Sequence, residues 1–179
     1  MTHQEAVALI EHAEIRPGES WADLGAGQGR FSFAMADLLG ENGVVYAVDR
    51  DGKALQNISA QHQKSWAEIR LIEQDFTQAL QFKGLDGVLM ANALHYVRDQ
   101  AAFLARLKPQ TGKQRRIILI EYDTDQGNPW VPYPVSFSKF GMLAKQAGLT
   151  APQKIGSQQS RYGYREMYAA VSEWNNETI

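Results

Sequence analysis

The chain has 179 residues, 44% hydrophobic and 21% charged, with 18 Lys and Arg against 20 Asp and Glu for a formal charge of -2. Such a length and mixture predict one folded domain with a proper core, and the scattered, near-balanced charge argues against a nucleic-acid partner. The absence of cysteine excludes disulfides, thiolate metal sites and thiol nucleophiles, and no apolar run approaches the ~20 residues that span a bilayer.

The start, MTHQEAVALIEHAEI, carries acids and histidines inside its apolar pattern, unlike a secretory leader, so the expectation is a cytoplasmic protein with no membrane partner. Ala6, Val7, Leu9, Ile10 and Ala13 recur at helical spacing, and Arg16-Pro17-Gly18-Glu19 breaks that helix as a turn. A short strand from about Ser20 to Leu24 leads into the glycine-rich stretch Gly25 to Gly29. Phe31, Ala34, Met35, Leu38 and Leu39 mark the next helix, with Gly40 as its stop. Val44 to Asp49 is a second strand, and a helix from about Lys53 to Gln63 leads to a third near Ile69 to Gln74. Asp86 to Ala91 is a fourth strand, followed by a helix over Ala101 to Lys108. Lys113, Arg115 and Arg116 read as a solvated turn before a fifth strand, Ile117 to Tyr122, whose continuous apolar character predicts burial on both faces. Asp123 to Val135 is an irregular loop, Ser136 caps a helix to Ala147, and Gly148 ends it. Weaker strands around Pro152 to Ser157 and Glu166 to Glu173, with turn chemistry at Ser160 to Gly163, predict an antiparallel pair at the sheet edge.

Strands alternating with helices predict an α/β fold with a mostly parallel sheet, and in such sheets ligands sit outside the carboxyl ends of the strands. The glycine loop lies at such an end, and Asp49 follows Gly29 by 20 residues at the tip of the second strand, where an acid can accept from both hydroxyls of a ribose. Gly25, Gly27 and Gly29 give G-x-G-x-G, one residue short of the dinucleotide pattern G-x-G-x-x-G. Asp23, two residues before the first glycine, would repel a pyrophosphate and attract an ammonium. A ribose, a cationic amino-acid end and no phosphate describe S-adenosylmethionine. Asp23 can also serve as a cap on the glycine turn.

ADLGAGQGR, VYAVDRD, IEQDF, LDGVLMANALHYV and LARLKPQTGKQRRIILIEYD occur in order, and this stretch, from about Trp21 to Tyr122, resembles the class I S-adenosylmethionine-dependent methyltransferases. The resemblance implies a Rossmann-like seven-stranded sheet, mostly parallel with an antiparallel last strand and helices on both faces. It implies that Gly25, Ala26, Gly27 and Gly29 lie against the methionine and ribose portions of the cofactor, with Asp49 as the ribose acid and Arg50 beside it. It further implies that Asp75 and Phe76 meet the adenine, although Asp75 also reads as an ordinary acid at a strand end and Phe76 as core. The resemblance also implies that Asn92, at the fourth strand tip, lies near the reacting methyl and belongs to the cofactor site. The usual Lys-Pro-Gly-Gly turn is altered here to Lys108-Pro109-Gln110-Thr111-Gly112. The layout implies a single methyltransferase domain: helix 1–15, cofactor core 16–122, and substrate-side loop, helix and edge strands 123–179.

His95 and Tyr96 follow Asn92, at the expected mouth of the pocket. An ordinary histidine titrates near neutrality, so His95 is the candidate general base, set against a reading in which it shapes the turn. His3, His12 and His62 have no partners at ligand spacing, and no metal site is expected. The stretch EYDTDQGNPWVPYPVSF is long and irregular for a compact domain, as binding loops often are. Its Trp130 and Tyr133, with Tyr122 at its root, are candidates for the acceptor side, or else cover the end of the sheet. Asn128-Pro129-Trp130 resembles the Asn-Pro-Pro-Tyr signature of amino-nitrogen methyltransferases but stands in the wrong place, since Asn92-Ala93-Leu94-His95 follows the fourth strand. Ser136-x-x-Lys139 matches a serine-lysine nucleophile pattern but reads better as a helix cap followed by a surface lysine. The expectation is methyl transfer to O, N or C of a small molecule by a monomer or homodimer. The rivals are an inactive cofactor-binding sensor or partner subunit, a nicotinamide oxidoreductase, and an RNA or protein methyltransferase.

Overall fold

The computed structural model describes residues 1–61, 67–159 and 166–175. His62, the expected helix end at Gln63 and the expected turn at Ser160 to Gly163 lie outside the described residues. Helix α1 (His3–Ile10) opens with a capping box in which the Thr2 hydroxyl accepts from the Glu5 N–H and the Glu5 carboxylate accepts from the Thr2 N–H. Then come β1 (Ser20–Leu24), α2 (Arg30–Leu39), β2 (Val44–Asp49), α3 (Gly52–Gln61), β3 (Glu68–Glu73), β4 (Leu85–Ala91) and α4 (Gln100–Leu107). The chain continues through β5 (Thr111–Tyr122), α5 (Phe137–Gln146), β6 (Gln153–Gln159) and β7 (Glu166–Glu173).

The seven strands form one sheet in the order β3-β2-β1-β4-β5-β7-β6. The first five pair in parallel, and β7 runs antiparallel to both β5 and β6. The expected antiparallel pair is therefore present, with β6 at the edge and β7 inside the sheet. Strand order reverses between β1 and β4, which opens a crevice at their carboxyl ends.

Helices cover both faces. On one, Phe103 and Leu104 of α4 and Phe140 and Ala144 of α5 pack on Leu24, Met90, Leu119 and Tyr168. On the other, Leu9 and Ile10 of α1 and Met35 and Leu39 of α2 pack on Trp21, Leu89, Ile118 and Ile120. Ile117 to Ile120 are buried on both faces, as their apolar run predicts. Among the described residues no helix is long and apolar enough to cross a membrane.

The basic trio is the main correction to the sequence reading. Strand β5 begins at Thr111 rather than Ile117, and its pairing with β4 shifts register between Leu85 and Gly87. Arg115 absorbs that irregularity at a φ of 52°. Arg116 is then carried inward on the same side as Ile118, and is only 2% exposed. It pairs with Glu19, donates to the Ala13 and Glu14 carbonyls, and lies over the Trp21 ring. Burying a guanidinium costs several kcal/mol unless its charge and donors are matched, and here Glu19 matches the charge. Far from being a solvated turn, this arginine ties β5 to the segment before β1.

Candidate active site

The crevice at the switch point holds two adjoining cavities. One, of about 400 Å³, is lined by Asp23, Gly25, Ala26, Gly27, Gln28, Arg30, Phe31, Ala91 and Asn92. The other, of about 470 Å³, is lined by Gly25, Asp49, Arg50, Asp75, Phe76, Thr77, Asn92, Ala93 and Tyr96. Gly25 and Asn92 belong to both, so the two spaces meet over the tips of β1 and β4.

The glycines are required for different reasons. Gly25 and Gly29 both sit at a φ of 82°. A Cβ on Gly25 would come within 2.8 Å of the Ala93 Cβ, and one on Gly29 within 2.6 Å of Ile58 Cγ1. A side chain at either position is strained on both backbone and packing grounds. At Gly27 (φ 54°) a Cβ would meet no protein atom within 4 Å, so its bare backbone faces open cavity.

Asp49 is fixed by the same loop. Its Oδ2 accepts from the Gly27 N–H at 2.7 Å and its Oδ1 from the Asp51 N–H at 2.9 Å. Each oxygen keeps a further lone pair, which suits a ligand carrying two hydroxyls. Asp75, on the far side of the larger cavity, accepts from both the N–H and the hydroxyl of Thr77, and these bonds hold its carboxyl below the usual range. Phe76 lines the cavity and also packs edge-on against Phe103, so its ring belongs to the cavity wall and to the core at once.

Asp23 is deeper than the sequence suggests. It is 1% exposed and accepts from the Ser32 hydroxyl at 2.6 Å. Burial, partly opposed by Ser32 and reinforced by the nearby Asp49 charge, pushes its carboxyl up to about 7. A cation in the smaller cavity would stabilise its charged form. Asn92 holds a φ of 51°, a rare conformation for a residue with a side chain. Its amide lies 3.5 Å from Met167 Sδ, while its buried Oδ1 has no hydrogen-bond partner in the protein. An orphaned acceptor at the junction of two cavities is the feature a bound donor group would satisfy.

The acceptor-side candidates are less gathered. Tyr96 lines the larger cavity and is 54% exposed. Tyr122 packs against the core beneath α1 and α2, away from both linings. Trp130, 80% exposed, and Tyr133 lie outside the linings on the loop that follows β5. That loop makes a small bridge between Asn128 and Val131 around Pro129-Trp130, with the Asn128 side chain accepting from both the Trp130 and Val131 N–H groups. Ser136 caps α5 by accepting from the Lys139 N–H, and the Lys139 ammonium donates to the Pro134 carbonyl, which accounts for the serine-lysine spacing.

His95 needs a correction of place. It is not at the pocket mouth but buried at 2% exposure in the 3₁₀ turn Leu94–Tyr96, and it lines neither cavity. Its Nδ1 lies 2.6 Å from Glu121 Oε2. Glu121, 1% exposed, is the residue that sequence reading passed over. The signal was a lone acid in IILIEY, since a carboxylate in a doubly buried strand needs a partner.

The sequence matches the family described as Methyltransferase domain over residues 15–170. No curated protein sequence matches it. Among solved structures, magnesium protoporphyrin IX methyltransferase from Synechocystis, crystallised with S-adenosylmethionine, is 21% identical. That match covers 94% of this chain and 77% of that one at a TM-score of 0.69. The 1,6-didemethyltoxoflavin-N1-methyltransferase of Burkholderia thailandensis, with its acceptor and S-adenosylhomocysteine bound, is 20% identical over 97% of this chain and 78% of its own, at a TM-score of 0.71. The YcgJ protein of Bacillus subtilis is 12% identical over 97% of this chain and 100% of its own, at a TM-score of 0.73. These likenesses are of fold, and the family match spans most of the sequence. The chain belongs to the methyltransferase-domain family.

Proposed function

We propose that the protein transfers a methyl group from S-adenosylmethionine to an O, N or C nucleophile of a small-molecule acceptor. The observation that carries this reading is the pair of cavities joined at Gly25 and Asn92, with Asp49 and Asp75 on one side and buried Asp23 on the other. That layout suits a ligand with a nucleoside at one end and an ammonium at the other. Two solved structures of this fold hold S-adenosylmethionine or its product, and their named acceptors are small molecules, which supports the same reading.

When bound, S-adenosylmethionine supplies an electrophilic methyl on a sulfonium centre. In this reading Asp49 accepts from ribose hydroxyls through the lone pairs left by Gly27 and Asp51, with Arg50 beside it. Asp75 and Phe76 border the adenine. Ala26, Gly27 and Asp23 take the amino-acid end, where the Asp23 charge balances the ammonium. Asn92 Oδ1, unpaired in the protein, accepts from a donor group at the junction. Tyr96 borders the acceptor side, with Trp130 and Tyr133 on the loop beyond it, whereas Tyr122 packs in the core and takes no part. The displacement starts from an activated donor, so positioning and exclusion of water contribute more than a strong base. His95, buried beneath Tyr96, serves this positioning rather than proton removal.

Calorimetry with S-adenosylhomocysteine and with NAD tests the donor assignment, and binding of NAD alone overturns it. A panel of hydroxylated and aminated small molecules, assayed for methyl transfer, tests the activity. Tight donor binding without turnover across the panel would favour a sensor or partner subunit.

A further inference from the structure

We infer that Glu121 is a positioning residue that works through His95 to tie the loop following β5 to the turn that carries Tyr96, which borders the larger cavity. The role as an acceptor-side device rests on the methyltransferase reading, but the clamp itself is a property of the fold. Glu121 uses both oxygens on one residue: Oε1 accepts from the His95 backbone N–H at 3.2 Å, and Oε2 lies 2.6 Å from His95 Nδ1. His95 passes the constraint on in two directions. Its carbonyl accepts from the Tyr133 N–H at 3.0 Å, which fixes the loop, and its ring lies 4.4 Å from that of Tyr96, centroid to centroid. Gln100 closes the circuit from α4, donating to the Leu94 and Tyr133 carbonyls.

A leucine at position 121 would suit the surrounding core without the cost of burying a carboxylate. What the carboxylate adds is geometry, because it can grip a backbone N–H and an imidazole together. With Nδ1 hydrogen-bonded to Glu121, the imidazole is confined to one orientation, and Tyr96 is held where it borders the larger cavity. Strand β5, the turn after β4, the loop and α4 thus move as one body at the acceptor side.

The test is residue-level hydrogen exchange on the full chain, comparing wild type with Glu121→Gln and His95→Gln. Exchange of the Tyr133 amide is expected to rise at least about tenfold in Glu121→Gln, the scale set by losing one charge-assisted hydrogen bond. Core amides such as Val88 should stay protected, which separates a local clamp from general destabilisation. The nitrogen shifts of the His95 imidazole should lose their single-tautomer signature in Glu121→Gln, and the affinity for S-adenosylhomocysteine should stay within about twofold of wild type. For any acceptor found in the panel, KM for that acceptor should rise while KM for the donor does not. If Tyr133 exchange and the imidazole shifts are unchanged in Glu121→Gln, the clamp is refuted whatever the enzyme methylates. If both change but no acceptor is methylated, the clamp stands and the methyltransferase reading fails.

Discussion

Replacing Asp23 by Asn tests the electrostatics of the smaller cavity directly. In the folded protein burial lifts the Asp23 carboxyl from 3.8 to about 7. Between those values the native carboxyl keeps a proton that the unfolded chain has released. Stability is therefore fullest below about 3.8, falls as pH rises towards about 7, and levels off above it. The whole effect is about 4 kcal/mol, from roughly three units at ~1.4 kcal/mol each. Asn keeps an acceptor for the Ser32 hydroxyl and cannot ionise. Urea unfolding without ligand should thus show the variant gaining on wild type by about 3 kcal/mol between about pH 5 and about pH 8. Affinity for S-adenosylhomocysteine should move the other way: in wild type it rises as Asp23 ionises, and in the variant that rise is lost. Parallel stability curves for the two proteins across this range would show that Asp23 is not held neutral by burial.

Gly29→Ala should cost about 1–3 kcal/mol in urea unfolding, because its methyl meets Ile58 at a left-handed backbone position. Gly27→Ala should cost only about 1 kcal/mol in the same unfolding measurement, since its methyl meets no protein atom, yet weaken S-adenosylhomocysteine more than Gly29→Ala does in calorimetry. Asp49→Ala should lower that affinity by roughly 10–100-fold, the scale of charge-assisted hydrogen bonds to a ribose. Arg116→Met should destabilise by about 3–5 kcal/mol in urea unfolding, because it leaves Glu19 buried without its partner. Arg116→Met combined with Glu19→Gln should recover much of that loss.

The parts of this molecule written in local signals were legible from the sequence. Glycine spacing, the strand-helix alternation and Asp49 at a strand tip depend on neighbours within a few residues, and the fold places the glycine loop and Asp49 together at the crevice between β1 and β4. Pairings across long separations were not legible. Glu19 and Arg116 lie 97 residues apart, so nothing around Arg116 distinguishes a buried guanidinium from a solvated one. Glu121 and His95 are 26 residues apart and meet only because β4 and β5 are neighbours in the sheet. The polar residues before Ile117 read as a turn because the register shift they occupy breaks the strand's alternation without ending its pairing. The position of β7 inside the sheet followed only in outline, since an antiparallel pair can add to an edge in either order.

The interior position of β7 also shapes how the chain can be made. During synthesis β1 to β5 can assemble as each strand emerges, because every new strand finds a parallel neighbour already present. The free side of β5, rich in isoleucine and leucine, then waits uncovered until Glu166 to Glu173 leave the ribosome. Through that interval the nascent protein displays an apolar strand edge of the kind that recruits stray strands or chaperones. Its vulnerability during folding is thus concentrated on one side of one strand, and the contact that β7 closes there, Met167 against Asn92, also completes one wall of the candidate site.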